Sequence, residues 1–521
     1  LCIYRYDEER EKFPAGFSKT VLNCSLVYLL GVDLGTSGVK ALLVDARGAV
    51  VASASESYPL HTPQPLWAEQ DPNDWWNATC TAIRAVLGQA GVAANQVCSV
   101  GLSGQMHGSV FLDENGESIR PALLWCDQRT AAECAWMTKQ IGERAILETT
   151  LNPVLTGFQA GKILWLRRHE PDRYARVRQV LLPKDFIRYR LTGESATEVS
   201  DASGTALFNV PQRDWAYEIL DALELPRPWF PRVYESPEIT GRVSAPAAAA
   251  TGLAEGTPVV GGAGDQAAGA VGVGVVQTGR VSVALGTSGV VFAHLDTPQV
   301  DPHYRTHTFC HAVPGAWHVM GVMLMAGGAL QWYRETFAPD TDYEALVQEA
   351  AGVPAGAEGL LFAPYLSGER TPYPDPQARS AFVGLTLAHH RPHCTRAVLE
   401  GVAFGLRDSL EILRAMEVPL HELRLTGGGA RSSLWRQIIA SVFGQSVHTL
   451  QAEEGPAYGV ALLAGVGTGV WQTVPEACAA AVQLASETKP DPVQQDAYEA
   501  IYTRYRRLYP ALREFWSEAA H

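Results

Sequence analysis

The sequence predicts an α/β protein built from two similar units, and three observations carry that expectation. The first is an internal repeat. Residues 34–39 and 285–290 both read LGTSGV, and each copy is entered by one apolar run and left by another. The second lies around and beyond the first copy: three strand-like runs, then alternating helical and strand-like segments, the pattern of a mixed sheet covered by helices. The third is length, since 521 residues suit two to four domains rather than one core. Two related units about 250 residues apart then make two domains of one fold, packed face to face.

In the first unit, residues 28–34, 39–45 and 49–58 read as a strand meander, with a turn at Ala46, Arg47 and Gly48. In both copies of the repeat, Gly-Thr-Ser-Gly reads as a hairpin turn whose glycines supply positive φ. Residues 71–87, DPNDWWNATCTAIRAVL, combine an Asp cap, a Pro in the first turn and helical spacing. Residues 97–102 are a further short strand. The second unit opens with strands at 259–264 and 281–285 and continues with a helix over 321–337. That helix lies in a stretch with no Asp, Glu, Lys or Arg between Arg305 and Arg334. Its apolar heart, 319–330, falls short of the ~20 residues a membrane span needs, so it reads as a buried helix. Residues 396–416 carry a helical stripe of Val398, Leu399, Val402 and Leu406. Residues 423–426 form a strand ending in Gly427, Gly428 and Gly429, followed by a helix over 434–443 and an aromatic, amphipathic helix over 497–516. Residues 1–27 lack the basic start, apolar run and cleavage site of a secretory signal and read as a tail outside the core.

Composition excludes several classes. Forty-one basic and 55 acidic residues give a net charge of −14, against the basic surface a nucleic-acid binder needs. The balance still allows a small phosphorylated ligand held by backbone donors. Apolar residues at 47% and charged residues at 18% fit a globular core. The nine cysteines (Cys2, Cys24, Cys80, Cys98, Cys126, Cys134, Cys310, Cys394 and Cys478) are odd in number, scattered and free of any C-x-x-C. They predict neither a disulfide framework nor a zinc ribbon, but small buried side chains in a reducing, cytoplasmic setting.

The Gly-rich turns point to phosphate. No G-x-x-x-x-G-K-[ST] occurs. Gly262, Gly264 and Ala267 match G-x-G-x-x-A loosely, but residues 281–292 lack the acid that a dinucleotide ribose would want about 20 positions on. Several separate turns at strand ends can instead offer backbone N–H groups and small hydroxyls to phosphate oxygens. Asp33 precedes the first such turn, where a carboxylate beside a phosphate makes sense with Mg²⁺ between them. The second copy has Ala284 at that place, so the two turns differ in role, one serving the metal and one the phosphate. Both can equally be tight hairpins and no more. Asp265, among small residues in VVGGAGDQAAGAVGVG, reads as a general base or as a helix cap, and the two roles are compatible.

Taken together, GVDLGTSGVKALLVD, GLSGQMHGSV, LLWCDQR, LLPKDFIRYRLTGE, GGAGDQAAGAVGVG, VALGTSGV, APYLSGERTP, RAVLEGVAF and LTGGGARSSLWRQ resemble the FGGY carbohydrate kinases, from about residue 29 to beyond 464. The resemblance implies two actin-like (ribonuclease-H-like) ATPase domains flanking a catalytic cleft. They would be a sugar-side domain over 28–275 and a nucleotide-side domain over 276–485, with a helical extension over 486–521. It implies ATP and Mg²⁺ as cofactors, with D-xylulose phosphorylated at its 5-hydroxyl because GQMHG matches the ketopentose segment. Asp265 would be the base and Asp33 the acid that helps hold Mg²⁺. Met106, His107 and Gln266 would join Asp265 on the sugar, with His107 free to be neutral or charged near pH 7. Thr36, Ser37, Gly286 and Thr287 would face phosphate, and Gly427, Gly428 and Gly429 the adenosine. The implied partners are small molecules, with no nucleic acid or membrane, and a homodimer is compatible. Sibling kinases of ribulose, gluconate or glycerol, and a non-catalytic actin-like nucleotide binder, are the alternatives. The chain departs from the family pattern at Cys126, Gln159, Gly161 and Cys394, which bears on loop geometry and sugar preference.

Overall fold

The computed structural model describes residues 27–451 and 454–518. The expectation for the N-terminal tail falls outside them, apart from Val27, which is buried at the edge of the first sheet.

The first sheet begins with the expected antiparallel meander of β1 (Tyr28–Leu34), β2 (Gly38–Asp45) and β3 (Val50–Ser57). β4 (Val97–Gly104) runs parallel to β1. β5 (Ile239–Arg242) and β6 (Pro258–Val260) extend the order to β5-β6-β4-β1-β2-β3, and β7 (Ala263–Gly264) also pairs with β4. The second sheet holds β8 (Gly279–Leu285), β9 (Gly289–Leu295), β10 (His307–Cys310), β11 (Trp317–Met323), β12 (Leu420–Thr426), β13 (Val447–Leu450) and β14 (Leu484–Thr488). Its order is β10-β11-β9-β8-β12-β13-β14.

The two sheets share one plan. In each, an antiparallel meander is followed by two parallel strands beyond its first strand, and an antiparallel strand closes the end. The closing strand precedes its neighbour in the chain in the first sheet and comes after it in the second. The repeated hexapeptide therefore marks a repeat of fold.

The helices that frame the cleft are α1 (Pro72–Ala90), α2 (Gln159–His169), α3 (Pro183–Thr192), α4 (Asp265–Gly272), α5 (Gly327–Phe337), α6 (Arg391–Ala415), α7 (Ser433–Phe443) and α8 (Pro456–Gly467). α1 forms as its sequence predicts: the Asp71 carboxylate accepts from Asn73 N–H, Pro72 opens the helix, and Gly91 ends it at φ 62°. α8 is apolar on all sides because it is buried on all sides. It crosses the face of the first sheet at Gly31 and Gly101. A Cβ on Gly31 would lie 1.8 Å from Ala457 O, and one on Gly101 2.0 Å from Val460 O. Its Gly459 lets α4 approach as closely. A helix from the second half of the chain thus completes the core of the first half.

Five expectations are corrected. Residues 258–260 and 263–264 join the first sheet, with Val259 opposite Val100 and Ala263 opposite Ser103, and do not open the second unit. Residues 317–323 are a strand and the helix begins at Gly327, because a fully buried strand shows no alternation and periodicity cannot tell it from a buried helix. The C-terminal helix is two, α9 (Pro492–Tyr505) and α10 (Leu508–Glu518), broken just before Pro510, whose missing N–H cannot serve a helix interior. β14 runs across the boundary expected at 485 and belongs to the second sheet. The glycines of the two LGTSGV turns do not take positive φ. They give room: a Cβ on Gly38 would meet Glu56 O at 2.5 Å, and one on Gly289 would meet Leu406 Cδ2 at 2.7 Å.

Candidate active site

The carboxyl ends of β1, β4 and β7 lie side by side, where open α/β sheets bind ligands. Ser103 on β4 stands opposite Asp33 on one side and Ala263 on the other, two residues before Asp265. Asp33 is half-buried, and its Oδ1 is sealed from solvent without a hydrogen-bond partner. Burial pushes its carboxyl up to about 6, partly offset by Ser103 and Lys40. Lys40, opposite Asp33 on β2, pairs with Glu454 at 2.5 Å.

The turn after Asp33 is held rigidly. Gly35 N–H donates to Gly38 O at 3.0 Å, and the Tyr58 hydroxyl donates to Gly35 O. The Gln70 amide donates to Thr36 O at 2.7 Å, and Trp125 Nε1 donates to the Thr36 hydroxyl at 3.0 Å. Ser37 is exposed at the tip.

Asp265 is the first residue of α4. Gly264 occupies the cap position, so Asp265 is not the cap expected as its structural role. Burial pushes its carboxyl up to about 7, with the charge of Asp33 as the second cause and Gln266 opposing. The backbone before it is held by a buried ionic network. Gly264 N–H donates to the Ser200 hydroxyl at 3.1 Å, and Ser200 Oγ and N–H donate to Glu198 at 2.9 and 2.7 Å. Lys184 lies against Asp185 at 2.7 Å, Asp201 at 3.2 Å and Glu198 at 3.4 Å, and Arg188 against Asp185 at 2.6 Å. All five side chains are fully buried. Burial raises Asp201 well above the usual carboxylate range, and once it is neutral two acids face two cations.

Next to this acid pair lie Met106 and His107. Met106 is buried against Gly264 and Gly204. His107 sits at φ 69°, and its Nδ1 donates to Gly204 O at 2.7 Å, an approach that a Cβ on residue 204 would block. Burial lowers its pKa to about 3, so the ring is neutral and Nε2 carries the free lone pair. Lys162, on α2, donates to His107 O at 2.7 Å.

On the second sheet, β8 ends at the other turn. Gly327 N–H donates to Gly286 O at 2.7 Å, and Ala326 and Gly328 N–H donate to Thr287 O at 2.8 and 3.0 Å. The start of α5 thus backs this turn. Gly427, at φ 86°, packs so closely that a Cβ would lie 2.8 Å from the carbonyl of Leu285. Gly428 is open on its outer side, and Gly429 packs on Leu285 and Trp435.

The sequence-derived residues therefore form two groups. Asp33, Thr36, Ser37, Met106, His107, Asp265 and Gln266 stand at the end of the first sheet. Gly286, Thr287, Gly427, Gly428 and Gly429 stand at the end of the second. Among the described residues, no hydrogen bond joins Gly286 or Thr287 to the first group. Also among them, no group of three or more His, Cys, Asp or Glu is placed to hold a metal. A divalent cation would find one protein ligand in the orphaned Oδ1 of Asp33, which fits Mg²⁺ because that ion takes one or two carboxylates plus phosphate and water. The supporting residues Tyr58, Gln70, Ser200 and Gly204 lie outside every motif read from the sequence, whereas Trp125 lies in LLWCDQR and Lys184, Asp185 and Arg188 in LLPKDFIRYRLTGE.

The comparisons decide the family. Residues 28–272 match the N-terminal domain, and residues 281–468 the C-terminal domain, of the FGGY family of carbohydrate kinases. The chain belongs to that family. This FGGY kinase is 41% identical over 484 residues to the xylulose kinase of Escherichia coli (strain K12), covering 93% of the chain and 99% of the relative. A crystal structure of xylulose kinase from Rhodospirillum rubrum superposes with a TM-score of 0.87 at 31% identity, over 94% of this chain and all of that one. The gluconate kinase structure from Lactobacillus acidophilus gives 0.89 at 26% identity, over 94% and 99%. The fold is thus the two-domain, actin-like ATPase fold of these kinases. Among the described residues, no helix is long and apolar enough to cross a membrane.

Proposed function

We propose that this FGGY kinase transfers the γ-phosphoryl group of ATP to the 5-hydroxyl of D-xylulose, with Asp265 as general base. The observation that carries the reading is the pair of half-buried carboxylates, Asp33 at the end of β1 and Asp265 just past the end of β7, on either side of β4, with Asp265 held near 7 by burial and by the charge of Asp33. A base poised there is half ionised at neutral pH and can accept a hydroxyl proton. In the step, the sugar O–H breaks and its proton passes to Asp265. The same oxygen bonds the γ-phosphorus, and ADP leaves with the bridging oxygen. Transfer of this kind needs alignment, charge neutralisation and a dry cleft more than covalent help.

The residues divide the work. Met106, His107 and Gln266 line the sugar beside the base. Thr36 and Ser37 on the first turn and Gly286 and Thr287 on the second face the phosphates, and Gly427, Gly428 and Gly429 face the adenosine. Asp33 would hold Mg²⁺, which would supply charge neutralisation on the phosphate oxygens. The 41% identity to a xylulose kinase over nearly the whole of both chains favours the ketopentose.

A panel of D-xylulose, D-ribulose, gluconate and glycerol, read by ADP release, tests this. D-Xylulose is expected to give the highest kcat/KM. A higher value for any of the others would reassign the substrate.

A further inference from the structure

Two more side chains lie close to His107 in the fold, and both come from the second half of the chain. His307 begins β10 and packs around the same pair of phenylalanines. The ring of Phe158 lies 4.7 Å from His107 and 6.2 Å from His307, and that of Phe309 lies 6.2 Å from His107 and 5.8 Å from His307. Asn152 fixes the tautomer of His307. Its amide nitrogen donates to Thr150 O and Thr308 O at 2.9 and 2.8 Å, so its Oδ1 must accept from His307 Nδ1 at 3.0 Å. Burial lowers the His307 pKa well below the usual value, so the ring is neutral and Nε2 holds a lone pair, as in His107. Neither Nε2 is sealed, and neither has a partner among the described residues.

Arg370 supplies the complement. Its neighbour Thr371 is pinned to β11: Thr371 N–H donates to Val322 O at 3.0 Å, and Val322 N–H donates to the Thr371 hydroxyl at 3.1 Å. Met320, two residues away on that strand, is the register partner of His307. Arg370 makes no ion pair or side-chain hydrogen bond among the described residues, although it is half-buried. The charge of neighbouring Glu369 offsets part of its desolvation, but N–H groups left without a hydrogen-bond partner remain costly unless a ligand completes them. Thr371 also donates its hydroxyl to Arg305 O at 2.7 Å, two residues before His307, and the charge of Arg370 contributes to the lowered pKa of both His107 and His307.

We propose that His307 and Arg370 contact the sugar. The two imidazole Nε2 atoms accept hydroxyl protons, and the Arg370 fork donates to a hydroxyl or carbonyl oxygen of the same chain. One donor set and two acceptors suit a neutral polyhydroxylated ketose. The sugar would then contact residues from both halves of the chain, where Asn152 already bonds His307 and Phe158 packs against it. This rests on the sugar-kinase reading above.

The test uses the full-length enzyme. KM is measured separately for sugar and ATP in the wild type, in Arg370→Met and in His307→Asn, which keeps a donor toward Asn152 but loses Nε2. Arg370→Met is expected to raise the sugar KM by about 10- to 100-fold, and His307→Asn by about 3- to 10-fold, with the ATP KM within twofold. Equal rises in both KM values, or an unchanged sugar KM, overturn the proposal while leaving the kinase reading intact. If the wild type prefers another sugar of the panel, the same split is read with that sugar. If it phosphorylates none, both readings fall. Should Arg370→Met not fold, His307→Asn decides alone.

Discussion

The ends of the two sheets carry the same six residues and are built for different work. At the first, Asp33 precedes the turn, Lys40 and Ser103 flank it, and Gln70, Tyr58 and Trp125 hold the turn from outside. At the second, Ala284 stands in the place of Asp33, and the turn's hydrogen bonds come, among the described residues, from main chain at the start of α5, with Gly427 and the Leu406 side chain packed against it. The same hexapeptide closes a hairpin at each end, but one residue out of register: Leu34 pairs with Val39, whereas Leu285 pairs with Gly289. Its role is set by what the rest of the chain places behind it. On the proposed reading the first end, with Asp265 near Asp33, carries the chemistry, and the second holds the nucleotide. Changes at the first end should act on kcat and on pH dependence, and changes at the second on the KM for ATP.

The largest effect is expected at Asp265. Asp265→Asn removes the proton acceptor and should lower kcat by about 10²- to 10⁴-fold while ATP still binds. The wild-type pH profile gives an independent reading. Because the Asp265 pKa is raised to about 7, the base is protonated below that pH and ionised above it. Log kcat/KM should therefore climb with unit slope up to about pH 7 and then level. A flat profile from pH 5 to 8 would remove Asp265 from the base role.

Asp33→Asn comes next, and it sharpens the comparison through the coupling of the two acids. Its negative charge is the second cause of the raised pKa at Asp265, so removing it should move the acid limb of the profile to lower pH. Activity should fall by about 10- to 100-fold and need more Mg²⁺ for saturation. Adding Ala284→Asp should not restore it, because Ala284 has no Asp265 beside it; Val290 and Thr426 are its strand neighbours. Restoration by that second change would show the two ends to be interchangeable.

Much of this was legible before the structure. The repeat, the meander of β1 to β3, α1 with its cap and the two acids could be read from local pattern, because each depends on neighbours in sequence. What could not be read depends on neighbours in space. The pairing of β6 and β7 with β4 is parallel and long-range, so their place in the first sheet left no local mark. The turn glycines were explained by φ when the cause was the closeness of Glu56 and Leu406. The neutral state of His107 comes from burial against Gly204 and Phe158, on segments about 50 to 100 residues away. The Lys184 network assembles charges from α3 and from residues 198–201, and no periodicity announces it.

The smallest expected effect lies at the second end, and it separates the two most directly. Gly427→Ala puts a Cβ within 2.8 Å of the Leu285 carbonyl at a backbone φ of 86°, which an L side chain adopts only under strain. The strand end and the second turn must then shift by a few tenths of an ångström, while the acids on the first sheet stay in place. The KM for ATP should rise by about 5- to 10-fold, with kcat and the sugar KM within about twofold. A fall in kcat matching that of Asp33→Asn, with an unchanged KM for ATP, would mean that the second turn takes part in the chemistry rather than in holding the nucleotide.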